Sequence, residues 1–328
     1  MEIDRKELKR AARDNMRAAR PGVMKVSFLY LLLASGVSLL ISFVAANPAE
    51  SIYRVAYAAL NGADYEQIIA ILGNTGGTWT LGVTLLNALL FFYSIALSFG
   101  YTIYTLRRTD GETAGYGTLL SGFGQLVRVV VLEFVVMVFT LAWTCLTMTP
   151  AVIAGVAVTM VLTIALPGST AAMVLSLLFI YAVVIAAALV MLYLTGRYSL
   201  APYILADHPE ISGLEAVRRS RALLRSRLGE VFKLRLSFLG WGALGILLTL
   251  VVGGAVMVGV VAMYLSGQDP LLLGVGAYAM VILATLAEVL FQMWLLPYME
   301  GTYAQYYRAL LPRTVLRSDL DADRPEPF

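Results

Sequence analysis

The chain has 328 residues, 59% of them hydrophobic and 14% charged, with a formal net charge of +3. Soluble domains run near 45–50% apolar and about 25% charged, so a water-facing globular surface cannot hide this much apolar side chain and lipid must solvate much of it. The single cysteine, Cys145, excludes a disulfide framework and is expected to be a small lipid- or helix-facing residue.

In chain order, residues 1–22 read as a basic amphipathic helix with Leu8, Ala12, Met16 and Ala19 on one side. The first apolar run, 23–46, lies between Pro21-Gly22 and Asn47-Pro48, and exceeds the length of a signal-peptide core, so it reads as an anchor that stays in the membrane. An external loop, 47–78, follows and is helix-compatible. The second run, 79–106, ends at Arg107-Arg108, and the third, 126–148, is expected to close at Thr149-Pro150. Residues 151–166 are uncharged but short, between Pro150 and Pro167; they are open to re-entrant, interfacial or helix-extending readings, or to that of a seventh span. The fourth, fifth and sixth runs are 171–193, 236–265 and 273–298. Each of the six can cross a hydrocarbon layer, which takes roughly 20 residues of helix. The basic connection 197–235 holds a second amphipathic helix. It opens at Ser212 and Glu215 with capping-box spacing and has an apolar stripe of Leu214, Val217, Leu224, Leu228 and Val231. The tail 312–328 is charged and is expected to be disordered.

Orientation follows from where the cations fall, because Lys and Arg near span ends stay in the cytoplasm. Eight lie in the N-terminal segment up to Lys25, three at Arg107, Arg108 and Arg128, eight from Arg197 to Arg235, and four from Arg308 to Arg324; of the chain's 24, only Arg54 remains for the other face. The fold expected is therefore all-α: a polytopic transmembrane helical bundle of about six spans, with both termini cytoplasmic and interfacial amphipathic helices beside it. The partners implied are anionic lipid headgroups at the basic helices, with a membrane-protein partner or homo-oligomer open. A nucleic-acid reading is weak, since positive-inside topology already requires the same arginines.

Glu288 falls near the middle of the sixth run, with Gln292 one turn later on the same face. A carboxylate at mid-depth is costly and marks either an ion or solute route or a helix-packing hydrogen bond. Glu133 lies inside the third run with Arg128 five residues earlier, which suggests an interfacial ion pair; Asn87 in the second run reads as a packing contact. Asp207, His208 and Glu210 suggest a metal or acid–base cluster, but His208 is the only histidine and the stretch leads into a helix start, so a turn and cap is favoured. Tyr298, Tyr303, Tyr306 and Tyr307 with Trp294 fit an aromatic belt at the cytoplasmic interface. Gly240, Gly242 and Gly245, and Ala96 with Gly100, offer close helix approach. No nucleotide, metal or hydrolase motif is present, and no cofactor is implied.

A further pattern runs through Arg5-Lys6-Glu7-Leu8-Lys9, Arg197-Tyr198-Ser199, Tyr203 to Asp207 with Pro209, Glu215-Ala216, Ser220, Leu236 to Gly240 with Trp241, and Leu295-Leu296-Pro297-Tyr298-Met299-Glu300. Together these resemble the bacterial integral membrane proteins of domain-of-unknown-function family nine-seven-five. The resemblance implies a bacterial cytoplasmic-membrane location and supplies no activity. The chain departs from it by extra apolar sequence after Pro150 and between Trp241 and Pro297. The function expected is a non-enzymatic accessory or scaffold component of the cell envelope. The alternative is a small-solute or lipid transporter using Glu288 and Gln292. An enzyme is least favoured, because Glu133 and Glu288 fall at different depths.

Overall fold

A computed structural model describes residues 5–18, 22–37, 62, 67, 80–265 and 270–311. Outside that set lie residues 38–46 of the first expected span, most of the external loop 47–78, Ala19, and the tail 312–328. All regular structure among the described residues is helical: α1 (Arg5–Ala18), α2 (Val23–Leu31, continued by a π-helical turn Leu32–Gly36), α3 (Thr80–Thr109), a 3₁₀ segment (Tyr116–Gln125), α4 (Leu126–Ala165), α5 (Thr170–Thr195), α6 (Ala201–Asp207), α7 (Gly213–Leu224), α8 (Leu228–Leu265) and α9 (Pro270–Leu310).

Three helical stretches, Thr84–Thr109, Tyr116–Ala165 and Thr170–Asp207, are long and apolar enough to cross a membrane. Only 11% of the most apolar window in either of the last two is buried within the protein. Leu141, Ile153, Met160, Ile164, Leu178 and Ile185 instead point outward. An outward apolar surface of that extent marks a membrane or partner face.

The helix does not close at Thr149-Pro150. It runs on to Ala165, so 151–165 is a helical extension rather than an irregular piece. Proline removes one backbone donor; in an apolar helix, nearby threonines can re-satisfy freed carbonyls. The carbonyl that Pro150 leaves without its helical donor is that of Leu146; the Thr144 and Thr147 hydroxyls bond instead to the Thr140 and Trp143 carbonyls of the preceding turns, both at 2.8 Å. Past Ala165 the chain reverses over Leu166 to Ser169. Gly168 takes φ +71° there, a left-handed conformation open to glycine at no steric cost, and Ser169 caps α5 by accepting from the Ala172 N–H.

The chain divides into two compact units. One comprises residues 1–6, 125–237 and 303–328, the other 7–124 and 238–302. In the first, α4 and α5 pack as an antiparallel pair, and α7 lies against the first turns of α4 and against α6. Gly213, Ala216, Val217, Ser220 and Leu224 form the buried face of α7, and Leu214, expected on that face, is exposed. The reason is size. A Cβ on Gly213 would strike the backbone of Arg128 and Leu132, so the small residues set the contact and the bulkier leucine is turned away.

In the second unit, Val23, Val26, Leu97, Tyr101, Tyr104, Ala114 and Leu119 form a buried core around α2 and α3. Ser27 and Tyr101 share a buried hydrogen bond of 2.7 Å within it. The 3₁₀ segment crosses α3 at backbone contact: a Cβ on Gly100 would collide with the Leu119 carbonyl, and one on Gly122 with that of Ala96. Helix α1 buries Leu8 and Ala12. Its Lys9 ammonium sits 4.2 Å from the Phe238 ring centre and its Arg13 guanidinium 5.9 Å from that of Tyr298. The amphipathic helix is thus seated on protein through both its apolar stripe and its cations.

Candidate functional site

Two arrangements of polar side chains stand out, one in each unit. In the first unit the end of α9 is fastened to the end of α6. Arg308 donates two hydrogen bonds to the Asp207 carboxylate, Nη1 to Oδ2 at 2.8 Å and Nη2 to Oδ1 at 2.9 Å, and Tyr307 Oη donates a third to Oδ2 at 2.8 Å. Paired N–H···O bonds from a guanidinium to a carboxylate fix geometry as well as adding energy. Tyr307 is buried and its ring stacks with that of Tyr203. Tyr306, also buried, donates to Glu230 Oε2 at 3.2 Å, and Arg227 reaches the same oxygen at 3.5 Å. Burial first, then the adjacent Glu230 carboxylate, raises the Tyr306 phenol above its ordinary range.

These contacts bear on two expectations. Tyr298, Tyr306 and Tyr307 are 5% exposed or less and pack into the protein rather than outward. Asp207 is engaged by Arg308 and Tyr307; His208 lies 4.0 Å from Asp207 and 3.4 Å from Glu210. Among the described residues no group of His, Cys, Asp and Glu is placed to hold a metal ion.

The same unit gathers four further arginines. Arg197 lies over the Trp143 ring at 5.4 Å and Arg221 over Phe139 at 5.5 Å. Trp143 donates to Tyr198 Oη at 3.2 Å, and Ser220 to the Arg197 carbonyl at 2.9 Å. Arg235 reaches the Leu192 carbonyl and Thr195 Oγ1, both at 2.9 Å, closing the C-terminus of α5 where a cation also suits the helix dipole. Arg128 donates to the Pro209 carbonyl, and among the described residues it makes no ion pair with Glu133. Five residues on an α-helix turn the side chains about 140° apart, so the two cannot face each other. Ser212 caps α7 by accepting from the Glu215 N–H at 3.2 Å, but the Glu215 carboxylate goes to Arg219 at 3.1 Å rather than back to the cap. Replacing Ser212 with alanine is expected to cost about 1 kcal/mol, visible as a small drop in the thermal midpoint of the detergent-solubilised protein.

In the second unit, Glu288 and Gln292 line a cavity of about 270 Å³ between α8 and α9. Its other walls are Gly242, Gly245, Leu248, Leu250, Phe291 and Leu295. Glu288 is exposed. Beside the cavity, Trp241 and Trp294 lie ring to ring at 4.7 Å. Asn87 is exposed on α3 and does not line it. Gly245 meets the Phe291 ring at close range, whereas Gly240 and Gly242 have open space where a Cβ would stand; of these three, only Gly245 serves close helix approach. A second, smaller cavity of about 30 Å³ lies among α1, α3 and α9, lined by Asn15, Tyr104, Thr105 and Arg108, which is room for about one or two waters.

The chain is thus a helical protein carrying at least three membrane-length apolar helices with their apolar faces outward. It belongs to the family described as Protein of unknown function (DUF975), whose model matches residues 1–314. No curated protein and no solved structure matches the chain.

Proposed function

We propose that this chain is a six-span protein of the bacterial cytoplasmic membrane, with both termini inside, that acts without catalysis as an accessory or scaffold component of the cell envelope. The observation that carries the reading is the Arg308–Asp207–Tyr307 clamp. It fixes α6 to the end of α9 and so builds a rigid helical platform, on which Arg218, Arg219 and Arg221 of α7 and Arg225 just past its end remain exposed. A fixed basic face at the inner leaflet suits anionic headgroups or an acidic partner.

The geometry of the α4–α5 pair supports a different depth for the third span. At 40 residues α4 is about 60 Å long, twice the roughly 30 Å of hydrocarbon. Its partner α5 has 26 residues and ends at Thr195, beside Arg197. The part of α4 that runs alongside α5 is its C-terminal half, from about Phe139 to Ala165. The N-terminal turns pack against α7, with Arg128, Arg197 and Arg221 around them. In this reading the crossing is made by the half beyond Trp143, the uncharged stretch 151–165 lies in the bilayer, and Glu133 belongs to the inner polar layer. No seventh span is needed, and the cations stay on one side.

Single cysteines introduced in a Cys145→Ser background test this. Glu133→Cys is expected to react with a membrane-impermeant maleimide only in inverted vesicles, and Ile153→Cys to be protected from both sides. Ready labelling at 153, or labelling at 133 in intact cells, would refute the depth assigned here. The scaffold role predicts envelope defects on deletion and a partner that co-purifies from native membranes; normal permeability and transport with no partner would remove it. The cavity at Glu288 favours a second reading, a small-solute or lipid transporter, in which Glu288→Gln abolishes flux in proteoliposomes.

A further inference from the structure

The Glu288 cavity carries a more specific reading. Among the described residues, neither the Glu288 carboxylate nor the Gln292 amide has a hydrogen-bond or ion-pair partner, and Glu288 is exposed on a helix surface whose neighbours Leu283, Leu286 and Leu290 are exposed as well. It lies well inside the apolar run 273–298. Given that α9 crosses the bilayer, as proposed above, this sets a carboxylate within the hydrocarbon, where an ionisable group needs a partner or a water-filled space.

The cavity walls say what kind of partner fits. Glu288 supplies a negative charge, Gln292 Oε1 a neutral acceptor, and Phe291 an aromatic ring, all within one turn of α9. A cation is favoured by the carboxylate. The rest of the lining is Leu248, Leu250, Leu295 and two glycines, which suits a hydrocarbon chain and excludes a hydrated ion. At about 270 Å³ the space sits just below the usual range of ligand pockets, roughly 300–1,000 Å³, so the occupant is small. We infer that the α8–α9 cavity binds a small cationic amphiphile, its ammonium group on Glu288 and its apolar chain along Gly242, Leu248 and Leu250. The concave, glycine-lined shape at one level of the helix pair favours a molecule of this kind over a second transmembrane helix, which would need a contact stripe over several turns.

Trp241 and Trp294, next to the cavity, provide the readout. The full chain in phosphatidylcholine nanodiscs is titrated with n-octylammonium, n-octanol and octanoate while tryptophan emission is followed. The expected result is a saturable change with octylammonium and only linear partitioning with the other two. Glu288→Gln is expected to weaken octylammonium binding at least tenfold. Gly242→Leu, whose added side chain enters open space, is expected to abolish it with helical content unchanged. Equal response to all three probes, no saturable response, or binding unaltered in a folded Glu288→Gln protein each overturns the proposal. So does a change of oligomeric state in that variant with ligand selectivity lost for neither protein, since the carboxylate would then serve a second copy. If the Glu288→Gln protein does not fold, the comparison of three probes on the parent decides alone. A variant retaining Trp294 as its only tryptophan, quenched by nitroxides at two depths in the lipid, separates the two assumptions. Quenching by neither sinks the crossing of α9, whereas deep quenching without amine selectivity sinks only the site.

Discussion

Asp207→Ala is expected to destabilise the protein by about 3 kcal/mol, because it leaves a guanidinium and a phenol without the group that holds both. The Asp207 and Arg308 side chains are only 18% and 16% exposed, and Tyr307 is 1% exposed, so water cannot readily replace the lost oxygens. Truncating one member of such a pair costs more than the pair contributes, since the surviving charge keeps its desolvation penalty. Two companion variants separate this from a packing effect. Asp207→Asn keeps an acceptor for Tyr307 and one Arg308 nitrogen, and should cost about half as much. Asp207→Ala with Arg308→Leu removes the stranded charge and should be milder than Asp207→Ala alone, the difference giving the coupling energy. Thermal unfolding in detergent, followed by far-UV circular dichroism, reads all three. If Asp207→Ala and the double variant unfold at one temperature, Arg308 is not held by Asp207 in the way described.

The clamp also shows which parts of the molecule the sequence discloses. Long apolar runs are bulk properties, and the helices built on them follow from length and hydropathy without knowledge of any contact. The Asp207–Arg308 pair spans 101 residues. Asp207 sits in a stretch with a local explanation, a turn before a helix, and Arg308 reads as one more cation at a span end. Nothing in either neighbourhood names the other. On the apolar stripe expected at α7, Val217, Leu224 and Val231 are buried, and Leu214 departs for another reason. Hydropathy ranks Leu214 above Gly213, Ala216 and Ser220, but at a helix contact this close the deciding quantity is volume. Pro150 misled in the opposite direction: proline ends helices in water, whereas inside a long apolar helix it need not, and α4 runs through it to Ala165. Glu288 and Gln292 were legible as a pair from their spacing of four on one helix face. That they border a cavity was not, because its glycines lie on α8, more than forty residues away.

Gly213 provides the sharpest test of the volume argument. Its Cβ position is occupied by the backbone of α4, by the Arg128 carbonyl and the Leu132 N–H and Cα. A flexible side chain could swing aside; a helix backbone cannot. Gly213→Ala is therefore expected to cost about 2–3 kcal/mol, near the upper end of the usual cost of over-packing, and Gly213→Val more than that. Alanine is no worse than glycine as a helix former, so a loss on this substitution isolates the steric term. Gly240 supplies the control. It was marked by sequence as a close-approach glycine, yet nothing lies within 4 Å of its Cβ position. Gly240→Ala should leave the thermal midpoint unchanged or raise it. Should the two alanine variants behave alike, α7 does not pack against α4 at backbone distance, and the inner polar layer assigned to the first turns of α4 loses its support.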